Sequence, residues 1–481
     1  MMSDADNVPR RPVSERLPDL AGCRVTVMGL GRFGGGVAAV RYLANCGARV
    51  TVTDLRSETQ LSDSLQQLAD VNVECLALGE HPESVFTGRD VLVVNPAVRP
   101  GQADVTRFRQ SGLVTSEVEL LLSALPAGVQ TVGVTGSNGK STTASLIAHF
   151  LREAGRTVWL GGNIGRSLLP DVGQMAASDV VVLELSSFQL WYLQDAGFAP
   201  DVAVVTNLAA NHLDWHGDMA AYAAAKQVLL ARQSLRQVAV MPADDDQLQE
   251  WRVRGRRLGF GTVDTGEQGV FWEDEMLITR QGSREDALRV RLPADLAGMH
   301  QRKNVAAAMT AAMACGAPLD VLQGLSGFQP LEHRQQHVGT VNDVRFINDS
   351  NATTPESTMA ALSALRGEIT LIAGGASKGV DLAALATAIA DRVSHVVLIG
   401  ETAHTLQPQI EQAAAASGVR SCQVQQAASL EAAFRAAVAL VSPGGIVLLS
   451  PASASFGMFR DYRDRGEQFE KLVQGWAGDS C

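Results

Sequence analysis

"TVGVTGSNGKSTTASLIAHFLREAG", Thr131 to Gly155, decides the fold. It opens as a short apolar run of the kind a buried strand shows and closes with the spacing of an amphipathic helix. Between them stand Gly136, Ser137, Asn138, Gly139, Lys140 and Ser141. A strand, a glycine turn and a helix in that order form a phosphate cradle. Successive N–H groups of 136–141 can make an anion nest, Lys140 can reach the outer phosphates, and Ser141 or Thr142 can hold Mg²⁺. The stretch departs from the common G-x-x-x-x-G-K-[ST] pattern, because Val134 stands at the first glycine position and Gly136 carries the turn instead. The loop alone does not say whether the phosphate serves a motor, a switch, a kinase or a bond-forming enzyme.

A second glycine turn lies upstream. "CRVTVMGLGRFGGGVAAVRYLANCGARVTVTD" (Cys23 to Asp54) reads as strand, turn, helix and strand. Gly29-Leu30-Gly31-Arg32-Phe33-Gly34 is G-x-G-x-x-G, and Asp54 ends the next strand twenty residues beyond Gly34. The pattern suits a diphosphate on a helix N-terminus with an acid at the nucleotide's other end. A nicotinamide-dependent dehydrogenase would use these residues too, but it leaves the Lys140 loop unexplained.

Further near-continuous apolar runs recur along the chain at 90–100, 157–162, 179–185, 201–207, 368–375, 395–400 and 445–451. They read as central parallel strands, with Ala-rich helical stretches between them. The expected architecture is α/β in three domains. A Rossmann-like N-terminal domain spans 1–120, with 1–20 a loose leader. A central phosphate-loop ATPase domain with a mostly parallel sheet spans 121–330, and a Rossmann-like C-terminal domain spans 331–481. The region from about 254 to 297 is read as charged and turn-rich, and 302–316 as a buried helix.

Composition narrows the function classes. The net charge is −11 and no basic stretch stands out, which argues against a nucleic-acid partner. Six scattered cysteines form no Cys-x-x-Cys pair, so neither a disulfide framework nor a zinc site is indicated. No run of 18 apolar residues and no signal-type N-terminus is present, so the expectation is a cytoplasmic protein without a membrane span.

Beyond the loop, "VVLELSSFQL" places Glu184, Ser187 and Gln189 at a strand's end, "TNLAANHLDWH" places His212 after the next strand, and "YAAAK" supplies Lys226. Carboxylate, imidazole and lysine thus gather near the carboxyl ends of neighbouring strands, where α/β sites sit. Together with "GGNIG", "LEHR", "FINDSNATTPEST", "GGASKGVDL" and "LLSPASASFGMF", in this order, the chain resembles the Mur ligase family over nearly its whole length. "ELSSFQL" and "SPASAS" point to the branch that handles D-glutamate.

That resemblance implies an ATP-dependent ligase that adds D-glutamate to UDP-N-acetylmuramoyl-L-alanine through an acyl phosphate, in peptidoglycan precursor synthesis. It implies ATP and two Mg²⁺ ions, small-molecule substrates, and a chain that acts as a monomer. Gly136 to Thr142 would bind ATP, with Asn304, Arg334 and Asp349 around the nucleotide. Lys140, Glu184, His212 and Lys226 would be catalytic. Ser141, Glu184 and His212 would ligate metal, joined by Lys226 if it is carbamylated. Gly29, Leu30, Gly31, Arg32, Gly34 and Asp54 would hold the UDP part, and Asn163, Ser187 and Gln189 the muramoyl part. Thr353, Lys378, Ser455, Phe456 and Tyr462 would hold D-glutamate. Asn351 stands where the family often has lysine, which removes one cation from the amino-acid side. Two alternatives remain: a Mur-type or folylpolyglutamate-type ligase for another amino acid such as L-glutamate, and a non-catalytic nucleotide-binding protein. The glycine turn at 29–34 argues against a folate substrate, and the set Glu184, His212, Lys226 and Lys378 against a non-catalyst.

Overall fold

The computed structural model describes residues 16–31, 34–99, 101–290, 292, 296, 298–325, 327–328, 332–377, 381–417, 422–455 and 457–479. The expectations at Arg32, Lys378 and Phe456 lie outside the described residues. Three sheets organise the chain. The first contains β1 (Arg24–Met28), β2 (Arg49–Asp54), β3 (Cys75–Leu78), β4 (Val91–Val94) and β5 (Leu113–Thr115) in the order β3-β2-β1-β4-β5, all parallel. The order reverses beside β1, which places the turn after β1 at the switch point where open α/β sheets bind ligands. Helix α1 (Gly35–Asn45) follows that turn, and α2 (Glu117–Ala124) follows β5, capped by the Ser116 hydroxyl on Glu119 N.

The second sheet has nine strands. These are β6 (Gln130–Thr135), β7 (Val158–Gly162), β8 (Val180–Glu184), β9 (Val202–Val205), β10 (Val238–Pro242), β11 (Arg256–Gly261), β12 (Gly269–Glu273), β13 (Met276–Gln281) and β14 (Arg284–Arg289). Their order is β14-β13-β12-β11-β10-β9-β6-β8-β7. Pairing is parallel from β7 to β12 and antiparallel across β12, β13 and β14. The charged region after 254 is therefore mainly strand. Its exposed charge is concentrated on β14, where "REDALR" lies on the sheet edge, which discourages pairing with other chains. Helix α3 (Lys140–Glu153) follows β6, α4 (Ser187–Leu193) follows β8, α5 (Met219–Ala231) follows β9, and α6 (Met299–Ala314) follows the meander.

The third sheet contains β15 (Gln336–Val341), β16 (Val344–Asn348), β17 (Ile369–Gly374), β18 (His395–Ile399), β19 (Gln423–Ala427) and β20 (Ile446–Leu449) in the order β15-β16-β20-β17-β18-β19. Only the β15–β16 pair is antiparallel. Helix α7 (Tyr462–Asp479) closes the chain.

The chain divides into two compact units, Met1–Arg291 with Arg302–Phe328, and Leu292–Gln301 with Gln329–Cys481. The first unit contains the first two sheets. They share a hydrophobic cluster that runs from Val25 and Val52 through Leu120 and Leu121 to Val181 and Leu183. A different cluster, including Leu371, Val396 and Leu448, fills the second unit. No helix among the described residues is long and apolar enough to cross a membrane.

Candidate active site

The phosphate loop runs from β6 into α3. Its glycines are fixed by space as well as by backbone angle. Gly136 has φ 151°, and a Cβ there would stand 1.9 Å from Thr206 Oγ1. Gly139 begins the helix at φ 78°, and a Cβ there would stand 2.2 Å from Asn304 Oδ1 on α6. The chain after β9 braces the loop: Ser137 N donates to Asn207 O (3.1 Å), Asn138 N to Asn207 Oδ1 (2.9 Å), and Asn207 Nδ2 to Asn138 O (3.0 Å). Ser137 Oγ meets Tyr222 Oη at 3.0 Å and donates to Ala209 O at 2.8 Å. Two of the N–H groups expected in the anion nest, those of Ser137 and Asn138, are thus spent on shaping the loop in this conformation. Lys140 Nζ donates to Gly136 O (3.0 Å) and Ser137 O (2.9 Å). Ser141 is buried and Thr142 half-buried in the first turn of α3.

Glu184 ends β8 and is buried. Asn163 holds it twice, with Nδ2 donating to Oε1 (2.9 Å) and the backbone N donating to Glu184 O (2.8 Å). Asn163, expected to touch substrate, is therefore used to orient this carboxylate. Glu184 Oε2 is buried and meets no hydrogen-bond partner among the described residues. Lys226 on α5 is 1% exposed; its Nζ donates to Gly136 O at 2.8 Å and lies 4.5 Å from the Tyr222 ring centroid. Burial, reinforced by the Lys140 charge and only partly opposed by Glu184, holds this amine well below the usual lysine range. His212 is left-handed (φ 55°), with its ring 4.7 Å from Phe188 and 6.5 Å from Tyr222.

Among the described residues no three His, Cys, Asp or Glu side chains cluster tightly enough to hold a metal alone. The donor set still suits Mg²⁺, which prefers oxygen, keeps several waters and takes one or two carboxylates. The orphaned Glu184 Oε2 is one such donor, and a carbamylated Lys226 would be a second.

The glycine turn after β1 lies in the same unit and lines a cavity there. Gly29 and Gly31 have φ 86° and 67°, and a Cβ on Gly29 would lie 2.7 Å from Asn95 Cβ. Asn95 Nδ2 donates to Gly29 O at 3.1 Å. Leu30 is fully buried. Gly34 starts α1 at φ 85° with open space beside it. The close helix-to-turn packing belongs to Gly36, where a Cβ would stand 2.1 Å from Leu30 O. Asp54 is buried and organises the turn, accepting from Gly31 N (3.0 Å) and Arg56 N (2.9 Å).

A cavity of about 1410 Å³ extends from Gly29, Asp54 and Arg99 to Trp191, Trp215 and Ala225, next to Lys226. Sequence reading missed three of its features: Asn95, Arg99 and His216. Ser187 is buried, with Oγ 2.9 Å from His216 Nε2, and it is His216 that lines the cavity. Gln189 caps α4 reciprocally, its Oε1 accepting from Ser186 N and its own N donating to Ser186 Oγ.

In the second unit Asp349 is buried, accepting from Ser450 Oγ (2.7 Å) and Gln335 N (3.1 Å). Burial pushes its carboxyl up to about 7, opposed by the Ser450 hydrogen bond and the Arg334 charge. Arg465, which sequence reading missed, is fully buried and ties two turns together: Nε donates to Ser350 Oγ (3.0 Å), Nη2 to Ser350 O (2.8 Å) and Nη1 to Ser453 O (3.2 Å). Burial lowers its guanidinium to about 10. Thr353 N donates to Asn351 O, Ser455 O accepts from Phe459 N, and Tyr462 O accepts from Ser350 Oγ. Thr353, Ser455 and Tyr462 thus belong to the turns that Arg465 braces. Of the residues expected around the nucleotide, Asn304 packs on the phosphate loop of the first unit, and Arg334 and Asp349 lie together in the second.

Comparison with known proteins agrees along the chain. Residues 23–115 match the Mur ligase MurD-like N-terminal domain, 134–312 the Mur ligase middle domain, and 333–453 the Mur ligase glutamate ligase domain. The UDP-N-acetylmuramoylalanine--D-glutamate ligase of Symbiobacterium thermophilum is 36% identical over 461 residues, covering 94% of this chain and 98% of that one. Its namesake from Roseiflexus sp. is 37% identical over 469 residues, covering 95% and 99%. Among solved structures, the UDP-N-acetylmuramate-alanine ligase MurC of Thermotoga maritima aligns with a TM-score of 0.59 at 17% identity, over 94% of this chain and 100% of that chain. The MurF ligase of the same organism, in complex with ADP, gives 0.57 at 18%, over 96% and 100%. These structures share the fold, and the curated relatives carry the assignment over nearly the full length: the chain belongs to the Mur ligase family.

Proposed function

We propose that the chain is an ATP-dependent amide ligase that joins D-glutamate to UDP-N-acetylmuramoyl-L-alanine in peptidoglycan precursor synthesis. The carrying observation is that one large cavity runs from a glycine turn to Ala221, Ala224 and Ala225 on α5, the helix whose Tyr222 and Lys226 contact the phosphate loop. Its volume exceeds the roughly 300–1,000 Å³ of an ordinary small-ligand pocket, as an extended nucleotide-sugar peptide requires. The length and identity of the curated relatives favour this substrate pair. In this reading the three sheets define three domains, near 1–120, 121–330 and 331–481, for UDP, ATP and the amino acid. The protein works in the cytoplasm as a monomer.

The reaction starts with the substrate's terminal carboxylate attacking the γ-phosphorus of ATP; the bond to the β–γ bridging oxygen breaks and ADP leaves. The D-glutamate amine then attacks the acyl phosphate, loses a proton, and inorganic phosphate departs as the amide forms. The first step brings two anions together. Lys140 leaves the loop carbonyls to neutralise the transferring phosphoryl group. Mg²⁺, two ions in this reading, would supply further charge neutralisation, held by Ser141, Glu184, His212 and carbamylated Lys226. Lys226 is suited to carbamylation because only a neutral amine captures CO₂ and its burial favours that form. Asn163 keeps Glu184 aimed, and Tyr222 keeps Ser137 in the loop. Arg334 and Asp349 serve the nucleotide, and Thr353, Lys378, Ser455, Phe456 and Tyr462 the amino acid.

The test is phosphate release with UDP-N-acetylmuramoyl-L-alanine and ATP, comparing D-glutamate, L-glutamate and other amino acids. Turnover that requires D-glutamate supports the assignment. Turnover with L-glutamate alone would move it to the related ligases.

A further inference from the structure

In the second unit β20, β17 and β18 lie side by side, so the turns that leave their carboxyl ends meet. That end is where open α/β sheets bind ligands. The turn after β17 is pressed between the other two. A Cβ on Gly375 would stand 2.3 Å from Ala454 O, in the turn after β20, and a Cβ on Gly400, after β18, would stand 2.8 Å from Gly375 Cα. Ala376 N donates to Ala454 O at 2.9 Å, in an isolated antiparallel bridge. Backbones this close leave little room for side chains to hold the turns in register. Thr402 takes that part by gripping Gly375 at both polar groups. Its backbone N donates to Gly375 O (3.0 Å), and its Oγ1 accepts from Gly375 N (3.0 Å). Oγ1 also lies 3.1 Å from Ser453 Oγ, in the turn after β20, and 3.3 Å from Gly375 O. A hydroxyl has one proton and two lone pairs. With Ser453 donating to Thr402 and Thr402 donating to Gly375 O, all of these are used. Both side chains are buried, so their hydroxyls serve the turns and not a ligand.

We propose that Thr402, acting with Ser453, is the positioning residue of the amino-acid site. It sets the spacing between the turn after β17 and the turn after β20 without touching the amino acid. This rests on the function proposed above, in which Ser455 and Lys378 hold D-glutamate. Ser455 follows Ser453 by two residues, and Lys378 follows Gly375 by three. A ligand with two carboxylates needs the groups that receive them held to within about half an ångström, and buried hydrogen bonds behind the contacting residues supply that precision. Core packing alone does not ask for a hydroxyl at 402, since valine has the same branched shape. Every contact of the Thr402 hydroxyl goes to a turn, and the two turns it joins are the ones that lead to Lys378 and Ser455.

The experiment is steady-state phosphate release by the full-length enzyme, with ATP, UDP-N-acetylmuramoyl-L-alanine and D-glutamate varied in turn. The proteins are wild type, Thr402→Val, Thr402→Ser, Ser453→Ala and Thr402→Val/Ser453→Ala. Thr402→Val removes the hydroxyl and leaves Gly375 N without its acceptor. The KM for D-glutamate should rise about tenfold, the effect of one orphaned buried donor, while the KM values for ATP and the UDP substrate stay within about twofold. Thr402→Ser restores the hydroxyl and should lie close to wild type. Ser453→Ala should show a smaller rise of the same kind and add little in the Thr402→Val background. An unchanged D-glutamate KM in Thr402→Val, a parallel rise in all three KM values, or a Thr402→Ser enzyme as impaired as Thr402→Val overturns the assignment. If Thr402→Val yields no folded protein, Ser453→Ala carries the test, and an unchanged D-glutamate KM there overturns it equally. A wild-type enzyme that releases no phosphate with D-glutamate overturns instead the function on which the proposal rests.

Discussion

Replacing Gly139 by alanine strikes the phosphate loop where two constraints coincide. At φ 78° an alanine pays the left-handed penalty, roughly 1–2 kcal/mol. Its Cβ would also sit 2.2 Å from Asn304 Oδ1, inside any tolerable contact, so the Asn304 amide must move by about an ångström or more. Asn304 is buried on α6 with little room to retreat, and overpacking of this kind costs typically 1–3 kcal/mol. The sum is about 2–5 kcal/mol, shared between fold stability and the loop geometry that receives ATP. Gly155 supplies the control. It has φ 75° and open space around a Cβ, so Gly155→Ala reports the backbone penalty alone. The assay is the urea midpoint together with calorimetric ATP affinity. Gly139→Ala should lose at least tenfold in ATP affinity, Gly155→Ala should keep wild-type affinity, and adding Asn304→Ala to Gly139→Ala should restore part of the lost stability. A Gly139→Ala protein with wild-type stability and ATP affinity refutes the packing of Asn304 against this turn.

Other expectations follow from the same geometry. Asn163→Ala frees the Glu184 carboxylate, so kcat should drop by at least tenfold with a smaller change in the KM for the UDP substrate; a pure KM effect in steady-state assays would return Asn163 to direct substrate contact. Lys226→Ala should be nearly inactive and partly rescued by acetate, a test that unaided wild-type turnover of the variant would fail. For Asp349 the folded carboxyl titrates near 7, above its unfolded value, so the native state binds more protons between about 4 and 7 and stability contributed by this group is lost as pH rises through that window. Asp349→Asn should therefore become more stable relative to wild type from pH 5 to pH 8, by up to about 2–3 kcal/mol in paired urea titrations, since the interval crosses about two units of the raised range and each is worth about 1.4 kcal/mol. Arg465→Met leaves Ser350 O and Ser453 O without their donor and should cost about 2–4 kcal/mol of stability, with Arg465→Lys recovering only part of it, since an ammonium lacks the fork that spans both turns.

Much of this architecture is legible from local pattern. A parallel strand buried on both faces must be apolar throughout, which is why β1, β6, β8, β17 and β20 stand out as runs. The meander β12–β14 does not, because β14 is mostly charged and the apolar parts of β12 and β13 are short and end in polar residues. Catalytic candidates carried by a motif, such as Lys140 and Glu184, are visible because chemistry dictates residue type and neighbours together. What those residues touch is not local. Asn163 turns toward Glu184, Ser187 toward His216, and Asp54 toward the turn it follows, through contacts between residues 21 to 29 positions apart. Gly36 escaped notice because the spacing of the glycine pattern drew attention to Gly34, while the backbone approach it permits depends on how α1 leaves the turn. Arg465 gave no signal at all: an arginine in a polar helix reads as solvent-facing, and only the fold reveals that it fills the space between two turns.

That the phosphate loop and the large cavity serve one ATP-driven amide synthesis is tested most directly by following ¹⁸O from substrate to phosphate. UDP-N-acetylmuramoyl-L-alanine labelled in its terminal carboxylate is incubated with ATP and D-glutamate. One labelled oxygen is expected in each phosphate released, in step with amide formation, because the carboxylate oxygen that attacks the γ-phosphorus leaves with it. Amide formed with unlabelled phosphate would contradict the acyl-phosphate route.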